Sequence, residues 1–520
     1  DATDKRFLIA SVTKVFTASL VAQAIVRGDI ESVDDPVNRY LTRAQLPDNC
    51  GQAVTIRHLL THTAGFEEKG FGVKGPQEVV PLPGADMIAQ LPAYARCPGE
   101  GVVYANIDPP LLGAMLEDMA GLDLRALMAR DLLVPLGMDD TELVYDPSGG
   151  SRMLDAFIME GTQPGTKLGR AINKAFYAPT GSIHTTAADM AKFLSAQLGN
   201  QPDVLSGQAL AILHSPLASN GPGLMQLGGA FFIGDWNGQT YVDHLGAFSG
   251  FNAIFVVAPE KQTGVFIAWG GMGAQPLGFD LEAKALKKIY GPFKDPAPLA
   301  GPPPVEDLIG IYWIERRGHK SAEKILSLDG FITVEAENET QLRINGDGPF
   351  YAAGGGLYVK QSADGVPGPR YRLDGQSVRK NADYAVRTGG LSGPKTAQRL
   401  GLFGLGAMVT GVLGLAWPRK SGRFPALGCT VIALGFALVL YGIGGVQGFV
   451  DDLLAGKAWR FVLLSVFSFT SLALAAVLAW GVYDLWRGRF SEAPAWRGWL
   501  AKTHSVLLVC GCLSVSYFAW

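Results

Sequence analysis

Apolar residues crowd positions 11–26 on nearly every side, since Val15, Phe16, Ala18, Leu20, Val21, Ala24 and Ile25 leave no continuous polar face. A helix patterned in this way has to be buried. Arg27-Gly28 closes it, because glycine adopts the left-handed cap at least cost. Up to residue 293 helical and strand-like patterns alternate, which predicts an α+β unit. After the proline-rich stretch "KDPAPLAGPPPVED" the pattern changes to short period-two runs, "KILSL", "FITVEA", "TQLRI" and "LYVKQ", separated by Gly, Asp and Asn. These runs predict a small all-β module over 305–388, joined by a stiff linker at 294–304 to a domain spanning 1–293.

The last quarter of the chain is different again. Apolar runs occupy 400–417, 424–447, 461–483 and 505–520. A bilayer core needs about 20 apolar residues, a length the first three reach or approach. Trp417, Trp459, Trp480 and Trp486 flank them as interfacial anchors would. The first connecting loop carries Arg419, Lys420 and Arg423, and the third carries Arg487, Arg489, Arg497 and Lys502, whereas Asp451, Asp452, Lys457 and Arg460 share the second. The positive-inside rule makes the first and third loops cytoplasmic. The expectation is an α-helical membrane bundle over 399–520, in contact with a lipid bilayer, with everything before it outside the cell.

With 44 basic and 47 acidic residues the formal charge is -3, which gives nucleic acid no electrostatic footing. Of the five cysteines, Cys429, Cys510 and Cys512 fall in the apolar runs, leaving Cys50 and Cys97 in the external part. Disulfides persist there, but a bridge requires Cα atoms within about 7 Å, which sequence does not specify. No CxxC or Cys/His cluster at metal spacing is present. An external domain needs an export signal, yet the chain opens on Asp1 without an initiator Met, so an N-terminally incomplete chain is expected.

The chemistry starts at Ser11-Val12-Thr13-Lys14. The pattern Ser-x-x-Lys recurs at Ser321, Ser377 and Ser392, but those serines lie in β-like or linker sequence, where residues three apart do not share a face. Only Ser11 and Lys14 should meet, one helical turn apart. A serine there gains from unpaired backbone N–H groups that favour negative charge on an attacked carbonyl. To take the serine proton the lysine must be neutral, so its site has to lower a pKa near 10.4 by roughly 3 units, or about 4 kcal/mol. Burial and a second cation are two means of doing so.

Several stretches share the context of this pair. "FLIASVTKVFTA", "VTIRHLLTHTAGF" at 54–66, "PGEGVVYANIDPPLLGAMLE" at 98–117, "PLGMDDT" at 135–141, "APTGSIHTTAADMAKFL" at 178–194 and "HLGAFSGFNAIFVVAPE" at 244–260 follow one another. In that order they resemble the serine β-lactamase and penicillin-binding-protein superfamily, in its class C-like branch of carboxypeptidases, D-aminopeptidases and esterases. The resemblance covers about 1–290. It implies a β-lactamase/DD-peptidase-like fold, an antiparallel sheet flanked by helices with a helical subdomain. It also implies Ser11 as nucleophile, with Lys14 and Tyr104 managing protons. Asn106 would hydrogen-bond Lys14 and the substrate amide, although Asp108-Pro109-Pro110 stands where relatives continue with Gly-Tyr. His244-Leu245-Gly246 takes the place of the usual Lys-Thr-Gly, with His244 anchoring or polarising substrate and Gly246 admitting the substrate backbone. The oxyanion hole would be the N–H groups of Ser11 and Ala247. Relatives begin with a helix and two strands before the first motif, so the strand near 263–269 is expected to have an open edge.

The resulting expectation is a multi-pass protein of the bacterial inner (plasma) membrane. Its periplasmic or extracellular domain would hydrolyse amide or ester bonds through an acyl-enzyme, as a D-amino-acid peptidase, carboxypeptidase or esterase. Such chemistry needs neither metal nor organic cofactor. The substrate would be a small peptide, ester or β-lactam, and the oligomeric state is left open. The alternatives are a β-lactamase, or a sensor acylated at the same serine without turnover. His62 reads as a structural turn residue, and Arg316, Arg317 and His319 as a solvated face of the β module. His58, His184 and His214 have no assigned role.

Overall fold

The computed structural model describes residues 5–69, 81–145, 154, 157–160, 163–167, 173–271, 275–319 and 330–388. The four apolar runs after 399, the "KILSL" segment, Ser321 and Ser392 lie outside the described residues. Among the described residues no helix is long and apolar enough to cross a membrane. One compact unit comprises Asp1–Lys69, Lys74–Arg316 and Ile332–Arg387, and a second comprises Gly70–Val73, Arg317–Phe331 and Thr388–Trp520.

In the first unit, strand β1 (Phe7–Leu8) leads through a 3-10 turn, Ala10–Val12, into helix α1 (Thr13–Arg27). Every residue from Thr13 to Ala24 is buried, and Gly28 caps the helix at φ 82°, as the sequence pattern requires. Two further helices bear on the site, α2 (Ile56–Leu60) and α3 (Asp108–Ala120). A small sheet pairs β1 with β3 (Ile183–Thr185) and β3 with β2 (Glu142–Leu143).

The main sheet is antiparallel: β4 (Ala218–Ser219), β5 (Gln226–Leu227), β6 (Phe232–Trp236), β7 (Gln239–Phe248), β8 (Phe251–Ala258) and β9 (Thr263–Gly270) pair in sequence order. All eight residues of β8 are buried. Successive side chains of a strand face opposite ways, so a strand buried on both faces needs a cover on each. Phe255 packs toward α1 through Phe193, whose ring stacks on Phe16 at 3.9 Å. Ile254 and Val256 face the other way, onto Leu286 of helix α4 (Gln275–Tyr290). In the described residues β9 is the edge of this sheet, its side chains half-buried, which agrees with the open edge expected at 263–269.

The β module is a closed barrel of eight strands: β10 (Gly310–Ile314), β11 (Phe331–Ala336), β12 (Gln341–Ile344), β13 (Asp347–Gly354), β14 (Leu357–Lys360), β15 (Arg370–Leu373), β16 (Ser377–Lys380) and β17 (Asp383–Thr388). Closure pairs both edges, and Tyr312, Val334, Leu342, Phe350, Tyr358 and Val378 fill the interior. The proline-rich linker is tied to the barrel, not a free spacer. Leu299 N–H donates to Ala352 O at 2.8 Å, and Tyr351 Oη donates to Pro296 O at 3.0 Å.

The barrel also docks on the hydrolase-like part of the unit. Asn220, only 1% exposed, accepts from Val102 N–H and donates to the carbonyls of Val102, Lys380 and Asp383. Arg96 pairs with Glu315 at 3.3 Å. Cys50 and Cys97 are joined, with Cα atoms 5.6 Å apart, which settles the pairing the sequence left open.

Candidate active site

The small sheet fixes the segment ahead of α1. Ile9 N–H donates to Ile183 O at 3.1 Å, and Ile183 N–H donates to Thr13 Oγ1 at 3.1 Å. Between these anchors Ala10 has φ 47°, a left-handed conformation uncommon outside glycine. It turns the chain so that Ser11 opens the helical segment, where backbone N–H groups have no intrahelical acceptor. Lys14 Nζ lies 3.0 Å from Ser11 Oγ and donates to Thr180 O at 2.9 Å. A neutral amine has one lone pair, so donation to Thr180 O leaves that pair free to face the serine hydroxyl. Of the three other Ser-x-x-Lys serines, Ser377 lies within the described residues, on strand β16 and bonded to Asp374.

Lys14 is 1% exposed. Burial, and then the positive charge of Arg316, hold its ammonium well below the usual lysine range. The second cation comes from the barrel. Arg316 stands 4.7 Å over the Tyr104 ring and 3.7 Å from Glu68, its side chain 40% exposed. It is solvated, as expected from its sequence context, and it also borders the site. No local pattern could place it, because the barrel's docking alone brings it there.

Burial raises the Tyr104 phenol above the usual range, and the neighbouring Ser11 hydroxyl pulls it the other way. Its ring also lies 4.9 Å from Lys14 Nζ. Asn106 does not meet the expectation. Its Nδ2 donates to Glu68 Oε1 at 2.7 Å, and its backbone O accepts from Thr180 Oγ1 at 2.8 Å. The amine of Lys14 is occupied by Ser11 and Thr180, and the carboxylate of Glu68 is the stronger acceptor for the carboxamide.

His244 on β7 joins the cluster, its ring 6.2 Å from Tyr104 and 5.5 Å from Phe232. Burial first, then the charge of Lys14, depress its pKa to about 3, so the imidazole is neutral. Nδ1 donates to Leu245 O at 2.7 Å, while Nε2 has no hydrogen-bond partner. Gly246 departs from the expected role. A Cβ there would lie 2.2 Å from Ile9 O and 3.3 Å from Ser11 N, so the missing side chain admits the chain's own backbone beside the serine. Ala247 is exposed and pairs with Asn252 next to the two-residue turn of the β7–β8 hairpin. Alternation in such a hairpin turns its N–H away from β8. The structure thus brings together Ser11, Lys14, Tyr104 and His244, sets Gly246 against the serine backbone, and diverts Asn106 to Glu68. Sequence reasoning missed Thr180, Glu68 and Arg316.

The family model described as Beta-lactamase matches residues 2–287, more than half of the chain. The chain belongs to the beta-lactamase family. Among its relatives is human beta-lactamase-like 1, 26% identical over 325 residues, a match covering 57% of this chain and 61% of that protein. Penicillin-binding protein 4 of Amycolatopsis lactamdurans is 26% identical over 345 residues, covering 61% of this chain and 86% of the relative. The crystal structure of SurE aligns with TM-score 0.51 at 21% identity, over 74% of this chain and 88% of SurE, which shows a shared fold. The chain is thus a member of the serine hydrolase superfamily of β-lactamases and penicillin-binding proteins, and it spans less than two thirds of the human relative.

Proposed function

We propose that this beta-lactamase family member hydrolyses amide or ester bonds through an acyl-enzyme on Ser11, with D-amino-acid peptides, carboxypeptidase-type substrates or simple esters as the substrate class. The observation that carries the reading is the 3.0 Å approach of Lys14 Nζ to Ser11 Oγ, in a setting that lowers the lysine pKa while the Tyr104 ring lies 4.9 Å from the same amine.

Ser11 Oγ attacks the carbonyl carbon, and its proton passes to the Lys14 amine. The N–H groups of Ser11 and Ala247 face the oxyanion. Collapse of the tetrahedral intermediate breaks the bond to the leaving amine or alcohol, which takes a proton through Tyr104. Water then attacks the Ser11 ester and gives its proton to Lys14, the acyl–Oγ bond breaks, and Ser11 Oγ takes that proton back as the acid departs. His244, neutral and with Nε2 unpartnered, is the substrate-facing acceptor.

The apolar runs at 400–417, 424–447, 461–483 and 505–520, with their tryptophan flanks and Lys/Arg-rich first and third loops, support a membrane-anchored protein with this site outside the cytoplasm. The test is a panel of D- and L-aminoacyl peptides and short-chain esters assayed on full-length protein. A time course with a fluorescent penicillin and a chromogenic cephalosporin accompanies it. Turnover that disappears in Ser11→Ala supports the proposal. Persistent labelling without turnover of any panel member replaces it with a sensor, and turnover that survives Ser11→Ala ends it.

A further inference from the structure

A strap of residues 102–106 carries Tyr104 and Asn106 across the cleft, and each of its backbone N–H groups is engaged. Val102 donates to Asn220 Oδ1, Val103 to His62 O at 3.0 Å, Tyr104 to Ala382 O at 2.9 Å, Ala105 to His62 Nδ1 at 3.4 Å and Asn106 to Glu68 Oε2 at 3.4 Å. His62 takes two of these five. Its ring also lies 4.3 Å from the Tyr104 ring, and its Nδ1 is 2.8 Å from Asp108 Oδ2 at the start of α3. One residue thus grips the strap at 103 and 105 and, through Asp108, at the point where the strap enters the helix. His62 itself stands at φ 55°, a conformation that aims both its carbonyl and its ring at the same short segment.

The pair is 2% and 1% exposed at its side chains, and among the described residues neither His62 Nε2 nor Asp108 Oδ1 has a hydrogen-bond partner. Ala105 N–H is directed at Nδ1 at 3.4 Å, and an Nδ1 that accepts from both neighbours carries no hydrogen of its own. The proton between the two side chains then belongs to Asp108. An ionised Asp108 would leave a charged oxygen buried and bare, which costs more than a bare neutral one.

We infer that His62 and Asp108 form a neutral, proton-sharing clasp that positions Tyr104 against Ser11 while withholding negative charge from Lys14. They are positioning residues, and the inference rests on the acyl-enzyme reading of the site. Lys14 from α1, His244 from β7, Tyr94, Tyr104, Glu68, Arg96 and Arg316 are the titratable and charged groups around the pair. Burial pushes Asp108 up and His62 down, in agreement with the geometry. A charge on Asp108 would raise the Lys14 pKa and so reduce the fraction of free amine. Asp108 thus keeps an acceptor-binding proton where an aspartate would ordinarily carry a charge.

The experiment measures kcat, KM and the pH profile of kcat/KM with the best ester of the panel, for full-length Asp108→Ala and Asp108→Asn, alongside thermal unfolding of each. An asparagine amide can donate to His62 Nδ1 in place of the acid proton, whereas alanine cannot. Asp108→Ala should lose about tenfold or more in kcat with KM changed by less than about threefold, the pattern of a misplaced proton carrier. Asp108→Asn should recover most of that loss and leave the acid limb of the profile in place, since no charge is removed. Wild-type kcat in Asp108→Ala overturns the clasp. An acid limb that moves down in Asp108→Asn overturns the neutral state, and so does failure of a normally folded Asp108→Asn to recover activity. Should Asp108→Ala not fold, the asparagine arm decides alone. Retention of Ser11-dependent labelling in every variant keeps a failed clasp distinct from a failed acyl-enzyme reading.

Discussion

The guanidinium of Arg316 lies 4.7 Å over the ring of Tyr104, carried there by the residues that follow strand β10 of the barrel. The cation that helps lower the Lys14 pKa thus comes from a different sub-structure than Ser11. Removing it should raise the Lys14 pKa. Only the neutral lysine takes the serine proton, so activity falls as pH drops through that pKa, and a higher pKa moves the acid limb of kcat/KM upward. Arg316→Met should show this shift and lose roughly three- to tenfold at pH 7, taking about 1 kcal/mol for a charge pair partly screened by solvent. Arg316→Lys should retain most of the wild-type profile. An unmoved limb in Arg316→Met would show that burial alone tunes the lysine.

Asn106 bonds Glu68 and not Lys14. Asn106→Ala should therefore leave the acid limb of the profile unchanged. Asn106→Asp should set a second carboxylate against Glu68, within 2.7 Å of its oxygen. Its melting temperature at pH 8 should fall below that of wild type, because like charges repel at that distance. A limb that moves in Asn106→Ala would restore the direct bond to Lys14.

Asp243 on β7 and Glu282 on α4 form a buried carboxyl pair behind the site. Burial pushes Glu282 from 4.5 up to about 7, and burial together with the neighbouring carboxyl pushes Asp243 well above its ordinary range. The folded state then binds more protons than the unfolded state between these values for Glu282, so stability falls as pH rises from about 4.5 to about 7. The loss should be on the order of 1–3 kcal/mol. Glu282→Gln should flatten it, checked by denaturant unfolding at pH 5 and pH 8. Equal slopes for variant and wild type would mean that the pair is solvated.

Reduction of Cys50–Cys97 reopens a loop with a sequence separation of 47. Loop entropy assigns the bridge about 4 kcal/mol, lost on reduction or in Cys97→Ser. Unfolding in urea with and without reductant measures it. Arg96 links the bridge to the barrel through Glu315, so activity should fall along with stability.

The Ser11–Lys14 pair was legible because helix geometry is local. An uninterrupted apolar run fixes a buried helix, and a three-residue spacing on it places Ser11 and Lys14 one above the other. Tyr104 and His244 followed from the order of the stretches that resemble one superfamily. Asn106 and Gly246 were given roles toward lysine and substrate, but Glu68 and the backbone of Ile9 were already there, and nothing near them in sequence announces such partners.

By itself, the sequence determined the Ser11–Lys14 pair, the α+β unit, the all-β module and the cap at Gly28, since each depends on periodicities and backbone preferences that act over a few residues. The tertiary structure decided that Thr180 would hold the lysine, that the module would close into a barrel and deliver Arg316, and that His62 and Asp108 would grip the strap from behind. Those outcomes depend on burial and on charges brought together from distant segments, and such energies exist only once the chain has packed.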